Sequence, residues 1–137
     1  MKLAKYKIIN IDNILAGIRI NRIADKEAKE TLLKEYLSLK KVSNAAIADK
    51  EELQRKFQQD WRDEMNAVIG LREARKQVVG YQEYLAAEND ANKAISDILK
   101  VEVDIDIAPI PMDAILSVSD DITLEQIAFL QECGIIE

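Results

Sequence analysis

Helical patterning gives way to strict alternation at Lys100-Val101-Glu102-Val103-Asp104-Ile105-Asp106-Ile107-Ala108-Pro109-Ile110. In its first part, every second residue is apolar and the residues between are acidic, the period of a half-buried strand with one apolar and one carboxylate face. The prolines close the stretch, because proline lacks a backbone donor and biases its predecessor toward extended geometry. We predict a strand over 101–107 and, over 112–118, either a second short strand or a single turn.

Upstream of this stretch, apolar residues recur at spacings of three and four, which is typical of amphipathic helices. We predict a first helix at about residues 5–18, with a short extended piece over 18–23 as an alternative. Asp25 is a candidate N-cap for a second helix that runs to a break near Asp60. This helix of about 33 residues would span roughly 50 Å at 1.5 Å per residue.

Three more helices complete the prediction. One begins near Trp61 and ends at Val79-Gly80, and the next runs from Tyr81 to Lys100. Thr123 and Gln126 have the spacing of a capping box, so they predict a last helix that Gly134 stops. Its predicted apolar side consists of Leu124, Ile127, Ala128 and Leu130.

The fold class predicted from these patterns is mainly α, with long antiparallel helices in a hairpin or bundle, a short β element near 101–118 and a C-terminal helix. At 137 residues we expect a single domain, with a helical part at 1–100 and an acidic β/α part at 101–137. Helices of this length leave apolar surface uncovered unless they pair, as in a coiled coil. We therefore expect a homo-oligomer or a stable complex with a protein partner.

Charge is divided unevenly along the chain. All 19 basic residues lie in 1–100, whereas 101–137 contains nine acids and no base. The net charge of -6 disfavours nucleic-acid binding. The acidic part is interpreted as a solvated surface, with docking on the chain's own basic helices or on a partner as the alternative.

Residue types limit the chemistry that this chain can perform. It has no histidine and a single cysteine, Cys133, which excludes an intramolecular disulfide, a zinc cluster and a Cys/His nucleophile pair. We interpret Cys133 as a packing residue near a helix end. The sequence predicts no catalytic residue, no cofactor and no metal site.

The candidate interaction surface consists of Glu102, Asp104, Asp106, Trp61 and Tyr81. The three carboxylates share one strand face at about 7 Å intervals, too far apart to hold one cation without other ligands. A solvated face or a charged edge that blocks unwanted pairing is favoured over metal binding. Trp61 and Tyr81 are possible interface anchors, although an aromatic residue at helical spacing is more often part of a core.

Both ends of the chain resemble a known group of proteins. Met1-Lys2-Leu3 precedes the helix with Ile8-Ile9-Asn10-Ile11-Asp12-Asn13-Ile14-Leu15, and Ile98-Leu99-Lys100 precedes the alternating stretch, a proline turn and an acidic helix ending in Ile135-Ile136-Glu137. This layout resembles small proteins of unknown function encoded by bacteriophages and prophages, often among structural and tail-region genes. The resemblance covers residues 1–20 and 95–137, and it implies no catalytic residue.

The resemblance favours a non-enzymatic structural, assembly or accessory protein with phage structural proteins as partners. The alternative is a regulatory protein whose acidic part binds a basic partner, and a carboxylate- or metal-dependent enzyme is a third hypothesis. Because no continuous apolar segment follows Met1, we expect neither a signal peptide nor a membrane span. We expect the protein in the cytoplasm of a bacterial host, or associated with the virion.

Overall fold

The computed structural model describes residues 1–70 and 80–137, and its helices confirm the mainly α prediction. Strand β1 is Lys2–Ala4, α1 is Lys5–Ala16, and a 3-10 turn follows at Ile20–Arg22. The later elements are α2 (Lys26–Asp60), α3 (Arg62–Gly70), α4 (Tyr81–Lys100), β2 (Glu102–Asp104), α5 (Met112–Leu116) and α6 (Leu124–Glu132).

The chain forms two compact units, and the boundary between them falls inside α2. The first unit combines residues 1–45 with residues 101–137, and the second contains residues 46–100. The acidic C-terminal segment therefore packs with the N-terminal third of the chain. That third contains ten basic residues and five acidic ones.

A two-stranded antiparallel sheet joins the two segments of the first unit. Leu3 of β1 lies opposite Val103 of β2. The strand predicted over 101–107 is shorter in the structure, because its partner has only three residues before α1 begins at Lys5. A parallel bridge between Ile110 and Ile136 adds a second link within the C-terminal segment.

The core of the first unit is built mainly from isoleucine and leucine, drawn from both segments. Burying such side chains is worth about 1.5–3 kcal/mol each, so this core is the main reason the two segments stay together. Cys133 is buried in it, which confirms its packing role. The fully or almost fully buried members include Ile8, Ile11, Leu15, Leu32, Leu39, Ile115, Leu130, Ile135 and Ile136.

Local signals position the helix ends much as predicted. The Asp25 carboxylate accepts hydrogen bonds from the N–H groups of Glu27 (3.0 Å) and Ala28 (3.4 Å) at the start of α2. Thr123 and Gln126 form the reciprocal bonds of a capping box at α6. The predicted break near Asp60 is confirmed as a single residue, Trp61, between α2 and α3.

Glycine ends helix α6. Gly134 has a φ of 80°, and the N–H groups of Gly134 and Ile135 donate to the carbonyls of Gln131 (3.1 Å) and Leu130 (2.9 Å). This is the Schellman arrangement, which favours glycine at the left-handed position. Gly80 has a φ of 79° just before α4, while the rest of the helix end predicted at Val79-Gly80 lies outside the described residues.

Two of the alternatives for local structure, and part of the predicted apolar side of the last helix, are wrong. Of the two alternatives for 112–118, the strand is wrong: residues 112–116 form a short helix, close to the single turn, and Ile115 packs into the core from it. The extended alternative for 18–23 is replaced by the 3-10 turn, which buries Ile18, Ile20 and Ile23. Leu124 and Ala128, placed on the apolar side of the last helix, are both exposed, Leu124 to 85%.

Candidate functional site

The outer edge of β2 is the first candidate site. The N–H of Lys5 donates to the carbonyl of Val101, and the N–H of Ile105 donates to the carbonyl of Met1, both at 2.9 Å. Since bonded and non-bonded pairs alternate in an antiparallel ladder, the backbone groups of Glu102 and Asp104 point away from β1. In the described part of the chain, no hydrogen bond to a neighbouring strand engages those groups.

The predicted acidic row lies along this edge. Glu102, Asp104 and Asp106 are all exposed, while Val103 is half-buried and Ile105 is buried. One face of β2 is therefore anchored on the core and the other carries carboxylates. Within residues 1–70 and 80–137, no group of three or more Asp, Glu, Cys or His side chains is placed to hold a metal ion.

The N-terminal ammonium group holds the end of the sheet. It contacts the Asp104 carboxylate and the Ile105 carbonyl, both at 3.2 Å. The Asp104 side chain is 76% exposed, so this ion pair adds little to stability. Its structural effect is to place Met1 beside the residues that follow β2.

Glu35 is the second candidate, and its environment is unusual for a carboxylate. It lies on the buried side of α2 and is 5% exposed. One carboxylate oxygen, Oε1, accepts a hydrogen bond from the N–H of Ala108 at 2.5 Å. The other oxygen, Oε2, is buried without a hydrogen-bond partner. Burial raises the pKa of Glu35 to about 7, although the bond from Ala108 opposes the shift.

Glu35 lines a groove of about 440 Å³ in the first unit. Its lining comes from α2, from the segment just after β2 and from Met1. We call this the Glu35 groove, and it is lined by Met1, Thr31, Lys34, Glu35, Ser38, Asp106, Ile107 and Ala108. Its polar lining consists of two carboxylates, one lysine and two hydroxyl groups.

A third polar group is buried between α1 and α2. Asp12 is 3% exposed, accepts a hydrogen bond from the Ser43 hydroxyl at 3.0 Å, and pairs with the Lys40 ammonium at 3.4 Å. The Asp12 carboxylate raises the pKa of Lys40. Because each Asp12 oxygen has a partner within the protein, this cluster is a structural contact between two helices.

Trp61 and Tyr81 belong to the second unit, whereas the acidic row belongs to the first. Both are half-buried. The aromatic contacts of this unit meet at Tyr84, whose ring lies 5.7 Å from Phe57 and 6.3 Å from Trp61 between centroids. Asp106 is the one predicted residue that lines the Glu35 groove.

Sequence reasoning missed Glu35, yet a signal was present. The buried stripe of α2 continues through Ala28, Leu32, Leu39 and Ser43, and Glu35 occupies the position between Leu32 and Leu39. A charged residue inside an apolar stripe must be paired, neutralised or functional. The same test identifies Asp12, which follows Ile11 on the buried face of α1.

Comparison with protein-family models, with curated proteins and with solved structures found no match. Among the helices that the structure describes, none is both long enough and apolar enough to cross a membrane.

Proposed function

We propose that this protein is a non-enzymatic assembly or accessory protein that acts through protein–protein contacts, and that the outer edge of β2 is a contact surface. The observation that carries the proposal is the outward direction of the backbone groups of Glu102 and Asp104 at an exposed strand. Such an edge accepts an added strand from a partner, because each outward group then gains a hydrogen bond. The phage or prophage setting comes from the resemblance of the two chain ends.

Charge defines the partner that suits this edge. A second copy of β2 would place its carboxylates opposite those of Glu102 and Asp104, and like charges opposite each other destabilise a strand pair. A partner strand with lysine or arginine on the carboxylate face avoids this repulsion. Its residues on the other face would be apolar, as Val103 and Ile105 are in β2.

A peptide titration tests the proposal. The probe is a peptide of alternating lysine and valine, added to the full chain and followed through the backbone amide resonances of β2. We expect saturable shifts at Glu102 and Asp104, and weaker binding in Glu102→Lys by about tenfold or more. The matched control is Glu125→Lys, which changes an exposed acid on α6 and should bind as wild type does.

Two results would contradict the proposal. One is equal binding of a peptide that alternates serine and valine, since the carboxylates would then contribute nothing. The other is unchanged binding in Glu102→Lys. The genes beside this one distinguish assembly from the regulatory alternative: a head or tail cluster favours assembly, and a regulatory cluster favours capping of a basic partner.

Self-association has its own supporting observation. Leu33 and Leu37 lie one turn apart on α2 and are 43% and 56% exposed. Two copies that pair these leucines across a two-fold axis would cover both. Light scattering after size exclusion should give a dimer or larger for the wild type and a monomer for Leu37→Glu, with Leu124→Glu as the control. A monomeric wild type at high concentration rules out this second contact.

A further inference from the structure

The Glu35 groove holds an unpaired acceptor that the rest of the first unit does not satisfy. Oε2 of Glu35 is buried and has no donor, whereas Oε1 is bonded to the N–H of Ala108. Leaving a buried acceptor unpaired costs about 1–3 kcal/mol, and more when it is charged. A ligand that supplies a donor at this point would recover that free energy.

We propose that the Glu35 groove binds a guanidinium or ammonium group, either on a side chain of a partner protein or on a free amine. Above about pH 7, where Glu35 is ionised, its carboxylate only accepts hydrogen bonds, so its complement is a donor. A cationic donor forms the stronger, charge-assisted bond. Asp106 supplies a second carboxylate in the same groove. Thr31 and Ser38 add hydroxyl oxygens that accept from the remaining N–H groups.

The chain's own cations leave this acceptor open. The N-terminal ammonium is engaged with Asp104 and with the Ile105 carbonyl. Lys34 lines the groove from the exposed side of α2 and forms no hydrogen bond with Glu35 in the described structure. Removing Lys34 therefore takes away a competing positive charge.

Size and flexibility suit such a ligand. A volume of about 440 Å³ lies within the usual range of roughly 300–1,000 Å³ for small-molecule sites. The terminal torsion of a glutamate is broad and nearly two-fold, so the carboxyl group can reorient toward a donor in the groove. Only the partner side chain, as one source of the cation, rests on the proposed function; binding of a free amine in the groove does not depend on it.

The test uses the amide resonance of Ala108, because its N–H is bonded to Glu35. The probes, used at about pH 8 where Glu35 is ionised, are N-acetyl-arginine amide and putrescine, with N-acetyl-citrulline amide as the neutral isostere. We expect saturable shifts with a dissociation constant on the order of 1 mM for the cations and at least about tenfold weaker binding of citrulline. Binding of the arginine probe at least about tenfold tighter than putrescine favours a protein side chain as the source of the cation, and the reverse order favours a free amine.

Variants separate the groove from general attraction to an acidic surface. Glu35→Gln retains the acceptor for Ala108 and should weaken binding by about tenfold or more, while Asp106→Asn weakens it less. Glu30→Gln, an exposed acid on the same helix, should bind as wild type does, and Lys34→Ala should bind more tightly. Equal binding by citrulline, unchanged binding in both Glu35→Gln and Asp106→Asn, or weaker binding in Lys34→Ala would overturn the proposal. Since Asp106 is exposed and outside the helices, its variant is a second test of the groove that leaves the buried Glu35 unchanged.

Discussion

Glu35 shows how one residue can couple the free energy of unfolding to pH. Its pKa is raised from 4.5 to about 7 by burial. The native state therefore binds a proton more tightly than the unfolded chain, so the free energy of unfolding falls as the pH rises from about 4.5 to about 7. At about 1.4 kcal/mol per pKa unit, the loss is at most roughly 3 kcal/mol.

Glu35→Gln removes this titration while it retains the acceptor for Ala108. We expect the variant to match the wild type near pH 4.5 and to exceed its free energy of unfolding by about 2–3 kcal/mol above pH 7. Urea denaturation across this range measures the difference. Lys34, Asp106 and the N-terminal ammonium also line or adjoin the groove. Glu30→Gln, at an exposed position on the same helix, is the control for the loss of a carboxylate outside the groove. A difference that does not change with pH would contradict the assignment to Glu35.

Ser43 supports the buried carboxylate of Asp12. Ser43→Ala leaves Asp12 with Lys40 alone, at 3.4 Å. Because a buried acceptor loses its nearest donor, we expect the free energy of unfolding to fall by about 1–2 kcal/mol. Ser38→Ala, at an exposed position on the same helix, should change it by less than about 0.5 kcal/mol. Equal effects of the two substitutions in urea denaturation would refute the role given to Ser43.

The glycines at two helix ends, Gly17 and Gly134, differ in whether their backbone conformation requires glycine. Gly134 has a φ of 80° and an added Cβ would lie 3.4 Å from the sulfur of Met1, whereas Gly17 has a φ of -85°. We expect Gly134→Ala to lower the melting temperature, through a cost of about 1–2 kcal/mol. Gly17→Ala should leave it unchanged or raise it slightly, since alanine restricts the unfolded chain. Thermal unfolding that ranks the two variants in the opposite order would contradict this reading.

The residues that sequence reasoning found are those whose role depends on near neighbours. Asp25 and Thr123 cap helices through bonds to residues two or three positions away. Glu35 depends on Ala108, which is 73 residues away. A contact of that range follows from the packing of two distant segments and has no local signature beyond the charged residue within an apolar stripe.

At the level of elements, the helices followed from apolar periodicity and the short elements did not. The 35-residue α2 carries enough repeats for its period to be clear. Strand β1 has three residues, which is too few to establish an alternation. The length of β2 was overestimated for a different reason: its alternation continues to Ile107, but a strand extends only as far as its partner.

The capping box of α6 offers a test at this level. Thr123 and Gln126 each accept a hydrogen bond from the other's backbone N–H, at 3.1 and 3.0 Å. We expect Thr123→Ala to lower the free energy of unfolding by about 1 kcal/mol. A double-mutant cycle with Gln126→Ala should show a coupling of about 0.5 kcal/mol or more, because the two bonds belong to one motif. Strict additivity would mean that the reciprocal box does not form in solution.

At the level of the whole molecule, the first unit depends on residues from both ends of the chain. The sequence places a border at Val101, past which no basic residue occurs, and the same residue begins the second segment of that unit. The sequence patterns could not predict that residues 1–45 are the part of the chain with which residues 101–137 pack. Apolar stripes on α1, α2 and α6 show that each helix buries one side, but they do not specify which stripes meet.

The central claim is that the outer edge of β2 is unpaired and available to a partner strand. Amide hydrogen exchange followed by NMR tests it directly on the full chain, because exchange reports the hydrogen bond of each N–H group. We expect slow exchange at Val103 and Ile105 and fast exchange at Glu102 and Asp104, with the last two slowed by the lysine–valine peptide. Slow exchange at Glu102 and Asp104 in the free protein, or no slowing by the peptide, would contradict the account.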